Sequence, residues 1–424
     1  MADVDDKTVR TKASSGPGWI GGGLAVGLIW LGWQIALVPM SDRAPSEHAV
    51  RLNPGSAAVL ARAAESEWQA GRMDNADALA RMALERAPFT LSALRVVGLV
   101  EGETGDRALA DEILTLAGNW SLRDDSSHGW LIENRLRRGD YGSAFAHADT
   151  LARRRATLQP QIFDLFATAV ESDPRAFPFL AGELADDPPW RTGFLRSLYR
   201  REGGVSLAAQ IAILMKDSSG RFSDAELQQL YLALYSGGQI DALRQVRDAV
   251  GRPMPRSGLV DGSFRESESI LPFGWKLGVG AGYSVAALPD AGPTSQGAEE
   301  GPSGALRIAH NGQSRDVLAE QALLLSPGRY RLKGLWRWEL GQSEMVFAWQ
   351  VICGASGPAV EDVRFRAPSQ SAPGDEASWQ SFDQEFTVPE TSCASQTIRL
   401  VGENPGRRTN LIIWFAQLEI APLP

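Results

Sequence analysis

Arg329, Arg331, Lys333 and Arg337 recur at odd positions of the run from Arg329 through Tyr330, Leu332, Gly334 and Trp336 to Trp338. In a β-strand successive side chains point to opposite faces, so the four cations share one face, and Tyr330, Leu332, Trp336 and Trp338 share the other. Residues 257–424 are net acidic, which makes a stripe of four cations locally unusual. Guanidinium and ammonium groups in a row would hold the carboxylates of an anionic polymer through charge-assisted, partly bidentate hydrogen bonds. Gln350 and Arg399, from strands expected to lie beside the first, extend the candidate surface. The competing reading is a solvated face whose Lys and Arg discourage edge pairing.

Other reactive side chains are sparse. Cys353 and Cys393 are the chain's two cysteines. They fit one disulfide closing a loop of about 40 residues, worth about 3 to 4 kcal/mol in the chain-entropy account; two unrelated buried thiols are the alternative. His48, His128, His147 and His310 stand far apart in sequence without a ligand spacing, so no metal and no cofactor is expected. Glu266, Glu268, Glu339 and Glu361 supply carboxylates, but spacing alone makes no acid–base pair of them. No nucleophile elbow or phosphate-binding loop occurs, and the glycines Gly278, Gly280 and Gly282 lie where no helix follows. No catalytic residue is assigned, and a non-enzymatic protein is expected.

The 424 residues, 44% hydrophobic and 22% charged, are enough for two or three domains. A net charge of −9 leaves nothing to build the basic field that nucleic acid requires. Residues 19–38 contain no charged side chain and span about 30 Å as a helix, the thickness of the hydrocarbon core. Trp19 suits an interfacial position, and Lys7, Arg10 and Lys12 place the preceding residues 1–18 in the cytoplasm by the positive-inside rule. The expectation is an uncleaved single-pass anchor in a bacterial inner membrane with the bulk of the chain periplasmic; a cleaved signal peptide is the alternative. Gly18, Gly22, Gly23 and Gly27 carry the small-residue spacing that allows helix pairing, and so a homo-oligomer.

Beyond the anchor, Gly71, Gly105 and Gly139 are 34 residues apart, as are Ala76, Ala110 and Ala144. Two helices folding back on each other need a turn residue and small side chains where they approach. Asp173-Pro174 occupies the fourth expected turn, and Gly203 and Gly237 restore the step. This resembles the tetratricopeptide repeat over 47–252, in five to six hairpins. The resemblance implies an all-α solenoid whose groove takes a protein partner, with Trp68, Arg95, Glu133 and Arg137 at groove positions; ordinary inter-repeat or solvated residues are the alternative.

After Gly251-Arg252-Pro253 short alternating runs replace the helical period, giving eight or nine strands over 259–424 and a two-sheet sandwich. The run of Ile412, Trp414, Ala416, Leu418 and Ile420 is expected to put one continuous face on its core. Four phrases in order, Asp261-Gly262-Ser263-Phe264, Gly274-Trp275, Pro327-Gly328-Arg329-Tyr330 and Trp379 to Pro389, resemble the jelly-roll carbohydrate-binding modules of the galactose-binding-like type. The resemblance implies a glycan-binding module. The acidic residue that the last strand of those modules usually carries midway is replaced in the run Trp414-Phe415-Ala416-Gln417, which puts their structural calcium in doubt.

These readings combine into a non-catalytic scaffold: an anchor, a helical domain that holds polysaccharide synthesis or export machinery, and a sandwich that engages an anionic polysaccharide. A second reading makes the sandwich structural or protein-binding, within an envelope assembly scaffold. A carbohydrate-active enzyme has the least support.

Overall fold

A computed structural model describes residues 44–255, 258–265, 270–293, 303–312, 316–340, 346–366, 378–403 and 410–424. No helix among these is long and apolar enough to cross a membrane. The expected anchor at 19–38 and its glycines lie outside the described residues, as do Glu266 and Glu268. The chain divides into two compact units, residues 1–158 and 159–424.

The first unit is helical: α1 (Ser46–Leu52), α2 (Ala57–Gln69), α3 (Met73–Arg86), α4 (Leu91–Thr104), α5 (Arg107–Trp120), α6 (Asp125–Arg137) and α7 (Tyr141–Arg154). From α2 onward the helices pair as hairpins, α2 with α3, α4 with α5 and α6 with α7. Ala76, Ala110 and Ala144 are each fully buried, so the 34-residue step marks the places where a larger side chain would force the helices apart. Gly71 and Gly139 turn with φ of 76° and 73°, the left-handed region open to glycine. Asp106 and Asp140, one step apart, cap α5 and α7 by accepting from backbone N–H groups of the first turn.

The second unit begins with six more helices, α8 (Gln159–Ser172), α9 (Phe177–Ala185), α10 (Arg191–Leu198), α11 (Gly204–Leu214), α12 (Asp224–Ser236) and α13 (Ile240–Ala249), of which α10 packs on α11 and α12 on α13. Asp173-Pro174 opens a short 3-10 turn, with the Asp173 carboxylate accepting from Arg175 N, so a capped turn stands where glycine would otherwise be required. These later helices share a compact unit with the strands. Tyr235 Oη lies 2.8 Å from Thr397 Oγ1, Arg244 donates to the Leu324 carbonyl at 2.9 Å, and the buried Arg247 sits 4.1 Å over the Phe273 ring.

Ten strands follow: β1 (Lys276–Leu277), β2 (Tyr283–Leu288), β3 (Ala305–His310), β4 (Asp316–Leu323), β5 (Gly328–Leu340), β6 (Val346–Cys353), β7 (Ala359–Arg366), β8 (Gln380–Val388), β9 (Gln396–Glu403) and β10 (Leu411–Pro422). They form two five-stranded antiparallel sheets, β1-β4-β9-β6-β7 and β2-β3-β10-β5-β8. Between the sheets lies a core of Phe347, Trp349, Phe365 and Phe415 with Leu306, Ile308, Leu332, Ile398 and Leu400. Trp336 and Trp338 pack at its edge, on the core side of β5.

The continuous core face expected of β10 is interrupted. Gln417 has φ of 51°, and the register with β5 gains one residue between Ala416 and Glu419. This bulge switches the alternation: Ile413 and Phe415 point into the core before it, Leu418 and Ile420 after it. Trp414 and Ala416 therefore belong to a second cluster, with Ala305, on the outer face of the sheet.

Candidate functional site

The strand register assembles a row on that outer face. Arg307 of β3 lies opposite Trp414 of β10, and Trp414 lies opposite Arg337 of β5; Trp379 precedes β8, the next strand. The Arg307 guanidinium is 5.7 Å from the Trp414 ring, and Arg337 is sandwiched at 4.7 Å from Trp414 and 4.9 Å from Trp379. Cations and aromatic rings thus alternate across three neighbouring strands and onto the residue before a fourth, each contact worth about 0.5 to 2 kcal/mol by ring quadrupole attraction. Trp414 Nε1 donates to Glu339 Oε2 at 2.5 Å, which fixes the indole's orientation. Leu288, Ala291, Leu335 and Ile412 pack around it. Trp414 is buried, whereas Arg307, Arg337 and Trp379 are partly exposed. The buried Nε of Arg337 has no hydrogen-bond partner.

The rest of the expected cation stripe is neutralised. Arg329 and Arg331 both donate to Glu385 at 2.8 and 2.9 Å, Arg331 also faces Asp383 at 3.3 Å, and Lys333 pairs with Glu419 at 2.9 Å. The cause is register: β8 places Glu385 opposite Arg331, and β10 places Glu419 opposite Lys333. Glu385 is held below the usual carboxylate range by those two arginines. A bare four-cation surface is therefore not what the fold presents; Arg337 alone of the four stacks between rings.

Gln350 and Arg399 do not extend the stripe. They lie on β6 and β9 of the other sheet, opposite each other in register, with Arg399 Nε donating to Gln350 Oε1 at 3.0 Å. Their row continues through Glu320 of β4 to Lys276 of β1 on one side and to Asp362 of β7 on the other. Lys276 pairs with Glu320 at 2.5 Å and Asp362 with Arg364 at 2.8 Å, so this second face offers amide and ionic groups but, in this row, no ring.

In the first unit Arg95 is held between Glu65 at 2.9 Å and Asp124 at 3.1 Å, tying the first helices of three hairpins together. Trp68 packs among Leu99, Leu114 and Leu131. Glu133 and Arg137 pair with each other one turn apart and are exposed. The four expected groove positions thus divide into two inter-hairpin residues and an exposed ion pair.

Cys353, at the end of β6, is disulfide-bonded to Cys393, in the loop before β9. Gln417 Nε2 donates to Ser303 Oγ at 3.3 Å, and no cluster of metal-ligating side chains occurs among the described residues. Asp261-Gly262-Ser263-Phe264 and Gly274-Trp275 act together: Trp275 Nε1 donates to the Asp261 carbonyl at 2.9 Å, and its ring lies 5.1 Å from Phe264.

No protein-family profile matches the chain, and no curated protein does. Among solved structures, the C-terminal region is similar to a CBM4 structure (14% identity, 39% of this chain and 99% of that one, TM-score 0.26). It is similar to a family 16 carbohydrate-binding module (15%, 39% and 99%, TM-score 0.25). Similarity also extends to the enzymatically active domain of bacteriophage CBA120 tailspike protein 4 (11%, TM-score 0.27), of which it spans 21% for 39% of this chain.

Proposed function

We propose that the chain is a non-catalytic scaffold of a bacterial inner membrane, anchored through residues 19–38, whose helices hold a protein partner and whose sandwich binds a polysaccharide. Its place would be exopolysaccharide or envelope glycan assembly or export, with the bulk of the chain in the periplasm. The observation that carries the glycan reading is the alternating row of Arg307, Trp414, Arg337 and Trp379. A half-exposed indole held flat by a guanidinium can stack on a pyranose face. Neither Arg307 nor Arg337 has a carboxylate partner among the described residues, so both can take a sugar carboxylate or hydroxyls in its place. The four sequence phrases of the jelly-roll carbohydrate-binding modules support the same reading.

The test is native electrophoresis of the detergent-solubilised full chain through gels containing an acidic or a neutral polysaccharide, alongside Trp379→Ala, Arg307→Ala and Arg399→Ala. Retardation by the acidic polymer, lost in the first two variants and kept in the third, is the expected result. Loss only in Arg399→Ala would move the site to the Gln350 face. No retardation by any polymer would leave the sandwich as a structural or protein-binding domain, the reading favoured by the pairing of Arg329, Arg331 and Lys333 with acidic neighbours.

A further inference from the structure

The first unit carries a concentrated exposed apolar surface. Met82, Phe89, Leu109, Leu116, Trp120 and Leu122 are 40 to 81% exposed, all within forty residues of sequence and two hairpins. A water-facing surface of this kind is costly unless something covers it. Its most exposed members lie in the loops that follow the second helices: Phe89 after α3, at 81%, and Leu122 after α5, at 61%. The Phe89 and Trp120 rings touch at 5.5 Å, and Arg154, at the end of α7, reaches the Leu122 carbonyl and Asp125. The ends of three successive hairpins therefore lie side by side. Arg86 and Arg123, with the run Arg153-Arg154-Arg155, make the rim cationic, although Asp125 and Asp149 neutralise part of that run.

We propose that this end of the first unit lies in the headgroup layer of an anionic bilayer, with Phe89, Trp120 and Leu122 inserted and the arginines snorkelling to lipid phosphates. The occupant follows from the length of the tether. Ala44, whose carbonyl accepts from Arg62 in the middle of α2, is six residues beyond the apolar segment ending at Val38, and six residues reach about 20 Å at most. A helical unit on so short a leash cannot leave the membrane surface. Trp and Phe beside Arg are the side chains that partition into that layer, and positive rims favour anionic lipids. The inference rests on the anchor reading above.

The experiment separates the two. Both native cysteines are in the disulfide, so Phe89→Cys, Leu122→Cys and the control Val279→Cys, at a site 97% exposed, each give one spin-labelled full chain. Each is mixed into phosphatidylethanolamine–phosphatidylglycerol liposomes and, separately, phosphatidylcholine liposomes, with a nickel chelate on both sides. Labels at 89 and 122 should lose nickel collisions and gain oxygen collisions relative to 279, most strongly in the anionic liposomes. Labels at 89 and 122 as nickel-accessible as that at 279 overturn the proposal, and a protein partner would then be sought for the patch. Alkaline carbonate extraction reads the anchor independently: retention with water-exposed labels refutes the surface contact alone, whereas release with buried labels refutes the anchor alone.

Discussion

His147 and His128 face each other through their Nδ1 atoms at 2.8 Å, and Arg135 decides which of them holds the proton between them. Arg135 can only donate, so His147 Nε2 accepts at 2.8 Å and His147 must carry its proton on Nδ1. That proton goes to His128 Nδ1, which leaves His128 protonated on Nε2, a buried atom. Both rings are therefore held neutral in the fold. Burial, then Arg135, then His128 lower His147 to about 4, against the acidic pull of Asp111 and Asp140. His128 is lowered by burial and by Arg154, against Asp124, Asp125 and the Ser121 backbone.

A depressed histidine pKa means that the unfolded chain binds the proton first. Stability is then full above about pH 6.5 and is lost as pH falls toward 4, by about 2 to 3 kcal/mol for His147. Urea midpoints measured between pH 7.5 and 5 should fall in the wild type and fall less in His147→Gln. The comparison is needed because the buried His310 is depressed as well. Equal slopes in both proteins would refute the assignment.

The bulge at Gln417 is built around Gly262. Leu418 N donates to the Gly262 carbonyl at 2.9 Å, and a Cβ on Gly262 would stand 1.9 Å from the Leu418 carbonyl oxygen, rigid backbone that cannot turn away. Gly262→Ala should cost more than about 3 kcal/mol, at the severe end of single substitutions. Gly129→Ala, at a helical glycine with open space around it, should leave stability unchanged or raise it slightly. A small loss in Gly262→Ala, read by thermal melting, would mean that the loop moves aside freely.

The local patterns were legible in the sequence, and the long-range ones were not. A step of 34 residues located Ala76, Ala110 and Ala144, because close helix contact acts on each side chain separately. The strict alternation of β5 likewise separated Tyr330 and Leu332 from the cations. What alternation cannot supply is strand order. Glu385 meets Arg329 and Arg331 only because β8 pairs with β5, and Gln350 and Arg399 fall on the other sheet because β9 and β6 pair with each other. The row of Arg307, Trp414, Arg337 and Trp379 draws on segments up to about a hundred residues apart. It also depends on one extra residue at the bulge, without which Trp414 would face the core.

The disulfide predicts a second measurable loss. Cys353 and Cys393 are 40 residues apart and mostly buried, and opening a loop of that length releases about 4 kcal/mol of unfolded-state entropy in the chain model. The double variant Cys353→Ala/Cys393→Ala should shift the urea midpoint accordingly. Wild-type protein with added reductant should approach the same value. A variant as stable as the oxidised wild type would show that the β6 and β9 ends are held by other contacts, such as Gly354 N to the Ser395 carbonyl and Thr397 Oγ1 to the Gly354 carbonyl, both at 2.7 Å.

Arg191 gives the sharpest test of the helices in the second unit. Its guanidinium is buried, donating to both Glu226 oxygens at 2.8 Å and to the Leu184 and Gly220 carbonyls at 3.0 and 2.7 Å. Glu226 also accepts from Ser223 N and closes the capping box that starts α12. Removing one partner strands a desolvated charge, so Arg191→Met and Glu226→Leu should each cost about 3 to 5 kcal/mol. Arg191→Met/Glu226→Leu leaves no orphaned ion and should cost less than the sum of the singles, by about 1 to 3 kcal/mol of coupling. Additive losses across this cycle, read from urea unfolding, would mean that the backbone carbonyls rather than Glu226 hold Arg191 in place.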